Sequence, residues 1–513
     1  MRRLAFVACL LASGCTVGPD YQRPPPADPP PVSFKETTGP VTGVAASFQP
    51  ALPRDAIDRG PWWVMYGDAE LDRLASEIDI SNQTLIQAEA AYRQARALVR
   101  QDASGLYPTV TGSAGYTQSG SGSGSSRAVQ GTVVNASQGS VGQYSAGPSL
   151  SWEIDLWGRI RRQIESDSAA AQASAADLAN ARLSAQASLA TNYFSMRISE
   201  QRIRVFQASV AAYARSAQIV QNQLDAGIVS GVDLAQAQTQ LEQTRAQLVA
   251  EEITRAQFEH AVAVLVGKVP ASLSIAPAPP PRDIPTIDAG VPSTLLERRP
   301  DIASAERQMA AANARIGVAQ AAYYPNISLA STVTMVGSSL NALLALSNAV
   351  WSVGPQIAGT LIDGGALRAQ VEGARAAYDA QVALYRQTIL VAFQQVEDAL
   401  VQQRVLTHQE RVQRAAVAAA RQAEQLSLNQ YRLGTVPYTT VVQTQAAALS
   451  AEQTLLTIRL NRLIASANLV LALGGGWRES DLPAPTPIGG IEQKPPGTPA
   501  AAAAPTRQWW KFW

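Results

Sequence analysis

Residues 160–224 read IRRQIESDSAAAQASAADLANARLSAQASLATNYFSMRISEQRIRVFQASVAAYARSAQIVQNQL, without proline or glycine. Because neither helix breaker occurs, the stretch predicts one α-helix about 100 Å long at 1.5 Å per residue. Its apolar positions recur every seven residues, the repeat of a supercoiled helix: Leu189, Met196, Ile203, Val210, Ala217 and Leu224. The other positions are mainly Ala, Gln, Ser and Thr, which favours close packing or a water-filled space over an ordinary solvated coiled coil.

This helix belongs to an internal repeat. The segment LDAGIVSGVDL at 224–234 is echoed by YRLGTVPYTTV at 431–441, which aligns Gly227 with Gly434 at an offset of 207 (434 − 227). Two further glycine pairs share that offset: Gly147 with Gly354, and Gly267 with Gly474. From Tyr-Pro to Gly-Pro the first copy spans 40 residues (148 − 108) and the second 30 (355 − 325), and the excess falls on the loop GSGSGSS at 120–126. The chain is therefore predicted to be a tandem duplication.

Each copy is predicted to run helix, strand, loop, strand, long helix, turn, helix. The first helix extends from about Ala69 to Leu106. The returning helices carry heptads of their own: Leu234, Leu241 and Leu248 in the first copy, and Val442, Leu449, Leu456, Leu463 and Val470 in the second. These heptads predict two long antiparallel hairpins, one in each copy.

The strands are indicated by alternation of apolar and polar residues. In the first copy Val110, Ala114 and Tyr116 alternate with Thr109, Thr111, Ser113 and Thr117, and Leu150, Trp152, Ile154 and Leu156 with Ser149, Ser151, Glu153 and Asp155. In the second, Ile327, Leu329, Val333 and Met335 alternate with Asn326, Ser328, Thr332 and Thr334, and Trp351, Val353, Ile357 and Leu361 with Ser352, Gln356 and Thr360. The pattern is typical of a membrane barrel, and a half-buried soluble sheet gives the same alternation.

Four strands do not close a barrel, and open edges are not tolerated in lipid. Two protomers would supply eight strands and three would supply twelve. Twelve strands leave a lumen whereas eight are filled by side chains, so a trimer is the better physical prediction. The predicted fold is mainly α-helical, with a trimeric twelve-stranded transmembrane β-barrel.

Composition excludes several classes of protein. The chain has 513 residues, 41 Lys and Arg against 40 Asp and Glu, two Cys and two His. A net charge of +1 gives no electrostatic footprint for nucleic acid. The glycine-rich stretches at 474–476 and 363–365 lack a following phosphate-binding Lys-Ser/Thr, and His260 and His408 occur singly on helices. We therefore expect no enzyme activity, no cofactor and no metal site.

The first residues have the layout of a secretory signal. Arg2 and Arg3 precede an apolar run from Leu4 to Ala12, which is too short to span a membrane, and Ser13-Gly14-Cys15 follows. The ending resembles a bacterial lipobox, in which Cys15 is acylated and becomes the mature N-terminus; the alternative is a plain signal with a chance cysteine. Thr16, in place of the Asp that marks inner-membrane retention, favours the outer membrane. The prolines at 19–31 predict an extended spacer.

Segments over nearly the whole mature chain resemble the outer membrane factors, the TolC-like efflux channels, and especially their NodT-type lipoprotein branch. They are CTVGPDY (15–21), PWWVMYGDAELDRL (61–74), DLWGR (155–159), RRPDIASAERQMAAANARIGVAQAAYYPNISL (298–329), RLGTVPYT (432–439) and LALGGGW (471–477). The resemblance implies a homotrimer whose twelve-stranded β-barrel is continued into the periplasm by an α-helical barrel. It also implies that this trimer serves as the exit duct of a tripartite efflux pump. Its implied partners are outer membrane lipid, a periplasmic adaptor and an inner membrane RND-type transporter, with no nucleic acid.

The family pattern divides the chain into six segments. They are a signal peptide at 1–14, an anchor and spacer at 15–66, repeat one at 67–267, an equatorial connector at 268–296, repeat two at 297–474 and a Pro/Ala-rich tail at 475–513. Two alternatives stay open: a channel for type I secretion or another export system, and a non-conducting periplasmic scaffold lipoprotein.

The resemblance also implies functional residues at the two hairpin turns. The adaptor would contact Gly227, Ile228, Val229 and Ser230 in the first turn, and Gly434, Thr435, Val436, Pro437 and Tyr438 in the second. Asp233, Thr439 and Gln443 would form a gate just inside. Gln443 stands where relatives often carry an Asp, which predicts closure by hydrogen bonds and packing and weaker cation selectivity.

Overall fold

The computed structural model describes residues 16–26, 29–31, 33–37, 61–120, 127–129, 132–134, 140–285, 287, 295–343 and 345–484. The predicted signal peptide, the lipidation site Cys15 and the end of the tail lie outside these residues.

Within the described residues the first repeat contains four α-helices and four strands. In chain order they are α1 (Ala69–Ser81), α2 (Gln83–Ala103), β1 (Thr109–Gly120), β2 (Arg127–Val129), β3 (Thr132–Val134), β4 (Ser140–Glu153), α3 (Arg159–Asp225) and α4 (Gly231–Leu265). The second repeat contains α5 (Pro300–Ala321), β5 (Asn326–Gly337), β6 (Ala349–Ala358), α6 (Ala366–Arg432) and α7 (Tyr438–Ala472). One-turn helices at Leu295–Arg298 and Leu340–Leu343 complete it.

The duplication is confirmed at the level of whole helices. The long helices α3 and α6 have 67 residues each, and the returning helices α4 and α7 have 35 each. The second copy of each begins 207 residues after the first (366 − 159, 438 − 231). Helix α3 extends one residue beyond the predicted helix at either end, because nothing in its sequence interrupts it.

The prediction of a single helix from Ala69 to Leu106 is wrong, because the helix is interrupted at Asn82. This residue has an extended backbone (φ −68°, ψ 118°) that ends α1, while its side-chain Oδ1 accepts a hydrogen bond from Leu85 N at 3.0 Å and begins α2. Its amide Nδ2 donates to Leu265 O at 2.6 Å. One asparagine therefore ends a helix, begins the next and fastens both to the end of α4.

The four longer strands form one antiparallel sheet in the order β1-β4-β5-β6. Thr111 lies opposite Ser149, Ser149 opposite Thr332, and Thr332 opposite Ser352. The hydroxyl oxygens of Thr111 and Ser149 are 2.7 Å apart, and those of Thr332 and Ser352 are 2.8 Å apart. The predicted polar positions therefore share one face of the sheet.

The alternation overestimates the length of two strands. Five residues that it assigns to strand ends lie beyond β4 and β6: Ile154, Asp155, Leu156, Thr360 and Leu361. Here the chain already turns toward the long helices. The Asp155 carboxylate accepts hydrogen bonds from the backbone of Ile160 and Arg161, both at 3.0 Å, and so caps α3.

The helices lie side by side. Beside the sheet their order is α2-α3-α5-α6, and in the far half it is α4-α3-α7-α6. Helix α7 is the one helix in the described part of the chain that is long and apolar enough to cross a membrane by length and composition. It packs along α6 and α3 instead, as the returning arm of a hairpin.

A core of large side chains lies where the ends of α4 and α7 meet the middle of α3. It includes Trp62, Leu74, Tyr193, Phe194 and Val470. Beside it, Arg197 and Glu200 form a buried ion pair at 3.0 Å. Arg197 also donates to Ala276 O at 2.7 Å, and Glu200 accepts from Ala278 N at 3.0 Å. The connector after α4 is therefore held against α3 by charged groups.

Residues 16–26, here called the N-terminal strap, run across α3, α5 and α6. Val17 N donates to Trp157 O at 3.1 Å, and Arg162 donates to Val17 O, Gly18 O and the Asp20 carboxylate. Farther along, Tyr21 donates to Glu306 at 2.6 Å and Arg23 to the Tyr385 hydroxyl at 3.1 Å. These contacts place the first described residue, Thr16, beside the sheet end of α3.

Candidate functional site

The two hairpin turns lie at the far end of the long helices from the sheet. In the first turn Gly227 has φ +73°. Its N–H donates to Leu224 O and that of Ile228 to Gln223 O, both at 2.8 Å. In the second turn Gly434, also at φ +73°, donates to Tyr431 O, and Thr435 to Gln430 O. Both are Schellman motifs, which need a left-handed residue that glycine supplies without strain.

The returning helices begin differently. In the first hairpin the Asp233 carboxylate accepts from Ser230 N at 3.2 Å and from Ser230 Oγ at 3.0 Å, which closes the start of α4. In the second hairpin Pro437 precedes α7 and supplies no side-chain cap. The carboxylate that the family resemblance assigns to a gate is therefore also a structural group of the first turn.

Most of the predicted adaptor contacts lie on the surface of the tips. In the first turn Ile228 is 70% exposed and Val229 is half-buried. In the second turn Leu433, next to Gly434, is 78% exposed and Val436 is half-buried. Tyr438 is different, since it is only 2% exposed. Its ring packs against Tyr431 with centroids 5.1 Å apart. Tyr438 therefore supports the tip from inside and does not present its side chain to a partner.

A small core joins the two hairpins just inside the tips. It contains Val220, Ala237, Tyr431, Tyr438 and Val441, from both long helices and both returning helices. The Tyr431 hydroxyl donates to Gln223 Oε1 at 2.6 Å, which links the end of α6 to the end of α3. We call this hydrogen bond the tyrosine latch. Sequence reasoning missed it, although both partners lie in or next to the repeated segment that locates the turns.

Burial raises the pKa of both tyrosines further above physiological pH. It raises the pKa of Tyr438 to about 12. For Tyr431 burial, and then the negative charge of Asp233, raise the phenol pKa above its usual value. The Tyr431 hydroxyl therefore retains its proton and remains a donor to Gln223 at physiological pH.

A second set of hydrogen bonds lies farther along the helices. Tyr213 OH donates to Gln445 O at 3.0 Å, and Gln445 Nε2 donates to Ser216 Oγ at 3.3 Å, so α3 is fastened to α7. The Ser427 and Thr444 hydroxyls are 2.6 Å apart and join α6 to α7. The second hairpin is thus held to α3 by side chains at two levels.

Of the predicted gate residues, Thr439 and Gln443 are exposed and lie one turn apart on the same face of α7. Asp233 is half-buried on α4. Among the described residues of one protomer no hydrogen bond joins Asp233 to either of them. The structure therefore places two of the three gate residues together.

Glu424 on α6 and Glu452 on α7 form an acidic pair that the sequence did not predict. Glu452 forms an ion pair with Arg421, and burial together with the charge of Glu452 raises the pKa of the Glu424 carboxyl. Neither heptad spacing nor the repeat indicates that these groups meet, because they lie on different helices.

The comparisons with known proteins agree with this architecture. A family profile described as outer membrane efflux protein matches residues 74–268 and 291–475. The chain is 30% identical over 476 residues to the toluene efflux pump outer membrane protein TtgC of Pseudomonas putida, covering 92% of this chain and 95% of that protein. It is 28% identical to the probable outer membrane lipoprotein SilC of Salmonella typhimurium, covering 93% of this chain and 99% of that protein.

The fold is likewise similar to that of a solved structure. The outer-membrane channel OprN superimposes with a TM-score of 0.78 at 29% sequence identity, and the match covers 90% of this chain and all of OprN. The two helical hairpins and the strand pair beside each are therefore those of an outer membrane channel.

Proposed function

Because the chain belongs to the outer membrane efflux protein family, we propose that it forms the exit duct of a tripartite efflux pump. The chain is an outer membrane efflux channel. In the proposed pump three copies assemble into one duct, which receives compounds from a periplasmic adaptor and an inner membrane RND-type transporter. The duct conducts them passively to the exterior.

The observation that carries the trimer is the sheet. Among the described residues of one protomer, its outer strands, β1 and β6, each pair on one side only. Val110 on β1 and Trp351, Val353 and Ile357 on β6 are exposed apolar residues. An unpaired strand edge is not stable in lipid, whereas pairing β6 of one protomer with β1 of the next closes twelve strands without an edge.

The trimer and its conductance are tested with the purified full-length protein. We expect a trimer that resists dissociation in detergent on heating and that conducts ions in planar lipid bilayers. A monomer without conductance would contradict the proposal.

We also propose that the adaptor docks on the tips. Ile228 and Leu433 expose apolar side chains there, beside the glycine of each turn. Docking would shift the population from a closed tip, held by the tyrosine latch and narrowed by Thr439, Gln443 and Asp233, to a dilated one. We expect Gly434→Trp to abolish export without lowering the trimer yield, because space around Gly434 is open. Gly434→Ala introduces the same backbone strain without the bulk and is the control.

We further propose that Cys15 is acylated. The relative named as an outer membrane lipoprotein supports this, as does the N-terminal strap, which begins beside the sheet. A diacylglyceryl group with an amide-linked acyl chain anchors a protein stably, whereas a single chain binds only marginally. Mass spectrometry of the mature protein tests the proposal. We expect Cys15→Ala to remove the acyl groups while the barrel still inserts, and an unmodified Cys15 would contradict the assignment.

For the exported compounds we propose small organic molecules. TtgC is named for toluene efflux. The uncharged Ala, Gln, Ser and Thr positions of the long helices suit a wall that binds no one compound tightly. The test is export of toluene-like compounds by cells that express this chain with its adaptor and transporter, against the same cells without the chain.

A further inference from the structure

A cleft lies where the helices meet the sheet, between the end of α5, the start of α6 and the N-terminal strap. Its volume is about 450 Å³, and it is lined by Val17, Gln320, Tyr323, Tyr324, Arg368, Val371, Glu372 and Arg375. We call it the collar cleft. The volume falls within the ~300–1,000 Å³ of small-molecule sites. The lining combines apolar, aromatic and cationic groups, which is the composition expected for an amphiphilic ligand.

The collar cleft lies beside the ends of the strands that we assign to the membrane. Tyr324 and Pro325 immediately precede β5, and Trp157 immediately precedes Gly158 at the start of α3. The Trp157 ring stacks on Tyr324 with centroids 4.6 Å apart, and its Nε1 donates to Pro325 O at 2.9 Å. Tyr323 and Tyr324 are 50% and 43% exposed. Exposed tyrosine and tryptophan at the end of membrane strands mark the headgroup level of the bilayer.

The cationic side of the cleft is formed by one face of α6. Arg368, Glu372 and Arg375 are spaced four and three residues apart and so lie on that face. Arg368 pairs with Glu372 at 2.9 Å. Among the described residues Arg375 has neither an ion-pair nor a hydrogen-bond partner, and it is exposed. One guanidinium therefore remains available, and guanidinium binds phosphate oxygens in a bidentate manner.

The remaining wall is fixed by close backbone contacts of the strap. A Cβ added to Gly158 would lie 2.9 Å from Thr16 Cγ2, and one added to Gly18 would lie 2.5 Å from Gly317 Cα. These two contacts clamp the residues on either side of Val17. Val17, which is half-buried, and Val371, which is buried, therefore form a fixed apolar part of the lining.

We propose that the collar cleft binds the phosphate headgroup of an anionic phospholipid of the periplasmic leaflet. Arg375 binds the phosphate, the tyrosines flank the glycerol region and the acyl chains remain in the bilayer. Basic pockets between helices at a membrane surface bind anionic headgroups in this way. The proposal rests on the outer membrane location of the chain, and it is independent of how the tips open.

The test measures lipids retained by the purified full-length protein in native mass spectrometry. Protein stripped of lipid is titrated with phosphatidylglycerol or with phosphatidylethanolamine in mixed micelles, and lipids are counted per chain. We expect one phosphatidylglycerol per chain, about tenfold preferred over phosphatidylethanolamine, because both headgroups carry the phosphate that Arg375 binds but only phosphatidylethanolamine adds an ammonium that Arg375 repels. Arg375→Ala should abolish the preference. Glu372→Gln should strengthen it, because a competing carboxylate is removed.

The matched control is Arg411→Ala, on the same helix and exposed, about 54 Å away at 1.5 Å per residue. It should leave the preference unchanged. If Arg375→Ala and Arg411→Ala lowered the lipid preference equally, the preference would depend only on the overall charge of the protein, which would overturn the site. Displacement of phosphatidylglycerol by an equal concentration of inorganic phosphate would make it an anion site without lipid specificity. Trimer yield and conductance, recorded on the same samples, test the channel proposal separately.

Discussion

The two hairpins of the chain turn alike but are held differently. Both turns are Schellman motifs with a glycine at φ +73°. The first is closed by its own Ser230 and Asp233, whereas the second is tied to its neighbour through Tyr431 and Gln223. Duplication has therefore preserved the backbone while the side chains diverged. Thr435 Oγ1 donates to Gln430 O at 3.0 Å within the second turn, but no side chain caps the start of α7. Because its returning helix lacks the cap that holds α4, the second hairpin is the one that we expect to move.

The joint near the middle of the molecule did not diverge in this way. A Cβ on Gly267, at φ +70°, would lie 2.0 Å from Ser81 O, and one on Gly474, at φ +85°, would lie 1.9 Å from Arg298 O. Asn82 caps the end of α4 through Leu265 O, and Arg299 reaches Ala472 O at 3.0 Å in the equivalent place. The repeats are thus alike at this joint and unlike at the tips, where we propose that the channel opens.

The largest effect is expected at the joint. Gly267→Ala and Gly474→Ala each place a methyl group within about 2 Å of a backbone carbonyl oxygen. Both residues also have a positive φ, which disfavours alanine. Such an overlap belongs to the rare substitutions that cost ~4–5 kcal/mol or more. We expect loss of heat-resistant trimers in both variants, measured by gel electrophoresis and size-exclusion chromatography.

Gly434→Ala is the control for this experiment. Gly434 has the same sign of φ but open space around it, so only the left-handed strain of about 1–2 kcal/mol remains. Trimer yield close to that of the unchanged protein is expected. If Gly267→Ala were tolerated while Gly474→Ala were not, the two joints would not be equivalent.

The backbone was largely predictable from the sequence and the side-chain ties were not. Heptads without Pro or Gly predicted α3 to within one residue at each end, because periodicity along a chain reports helix directly. Asn82 was overlooked because a single asparagine in an Ala- and Gln-rich run is tolerated in most helices. The tyrosine latch joins residues 208 positions apart, a separation at which no local pattern indicates contact.

The candidate site was predicted in part for the same reason. Turn glycines are visible in sequence, so both tips were located. Which side chains are exposed depends on packing between hairpins, and Tyr438, expected at the surface, is buried against Tyr431.

The second-largest effect is expected at the tyrosine latch. Tyr431→Phe removes the hydroxyl that donates to Gln223 at 2.6 Å and leaves the ring packed on Tyr438. Losing one such hydrogen bond costs ~1 kcal/mol, about a fivefold change in the ratio of closed to open tips. We expect a larger conductance of the isolated trimer in planar bilayers.

Tyr438→Phe is the matched control, because the Tyr438 hydroxyl makes no hydrogen bond within the described part of the chain. It should leave conductance unchanged. The double variant Tyr431→Phe with Gln223→Leu should conduct no more than Tyr431→Phe alone, since both remove the same bond. Additive effects would show that the two residues act separately.

An effect of the same order, confined to one turn, is expected in the first hairpin. Asp233→Asn weakens the acceptor for Ser230 N and Oγ, and the loss of such a cap costs ~1 kcal/mol at one helix end. Hydrogen exchange should therefore accelerate about fivefold in the first turn of α4 and remain unchanged in the first turn of α7. Faster exchange in both hairpins would mean that the first turn also supports the second.

The smallest effect is expected from the charge of the gate. Gln443 is exposed on α7, so a trimer presents three amides where Gln443→Asp would present three carboxylates. Rings of carboxylates favour cations, so we expect the ratio of cation to anion permeability to rise about twofold at low salt. At 1 M salt the ratio should return toward its original value, because dissolved ions screen the carboxylate charges over a shorter distance. Reversal potentials in a salt gradient measure the permeability ratio.

Gln443→Asn controls for the change in side-chain length without adding charge. Gln236 occupies the equivalent place in the first hairpin (443 − 207 = 236) and is half-buried, so Gln236→Asp should change selectivity less. If Gln236→Asp changed it more, the first hairpin and not the second would line the constriction.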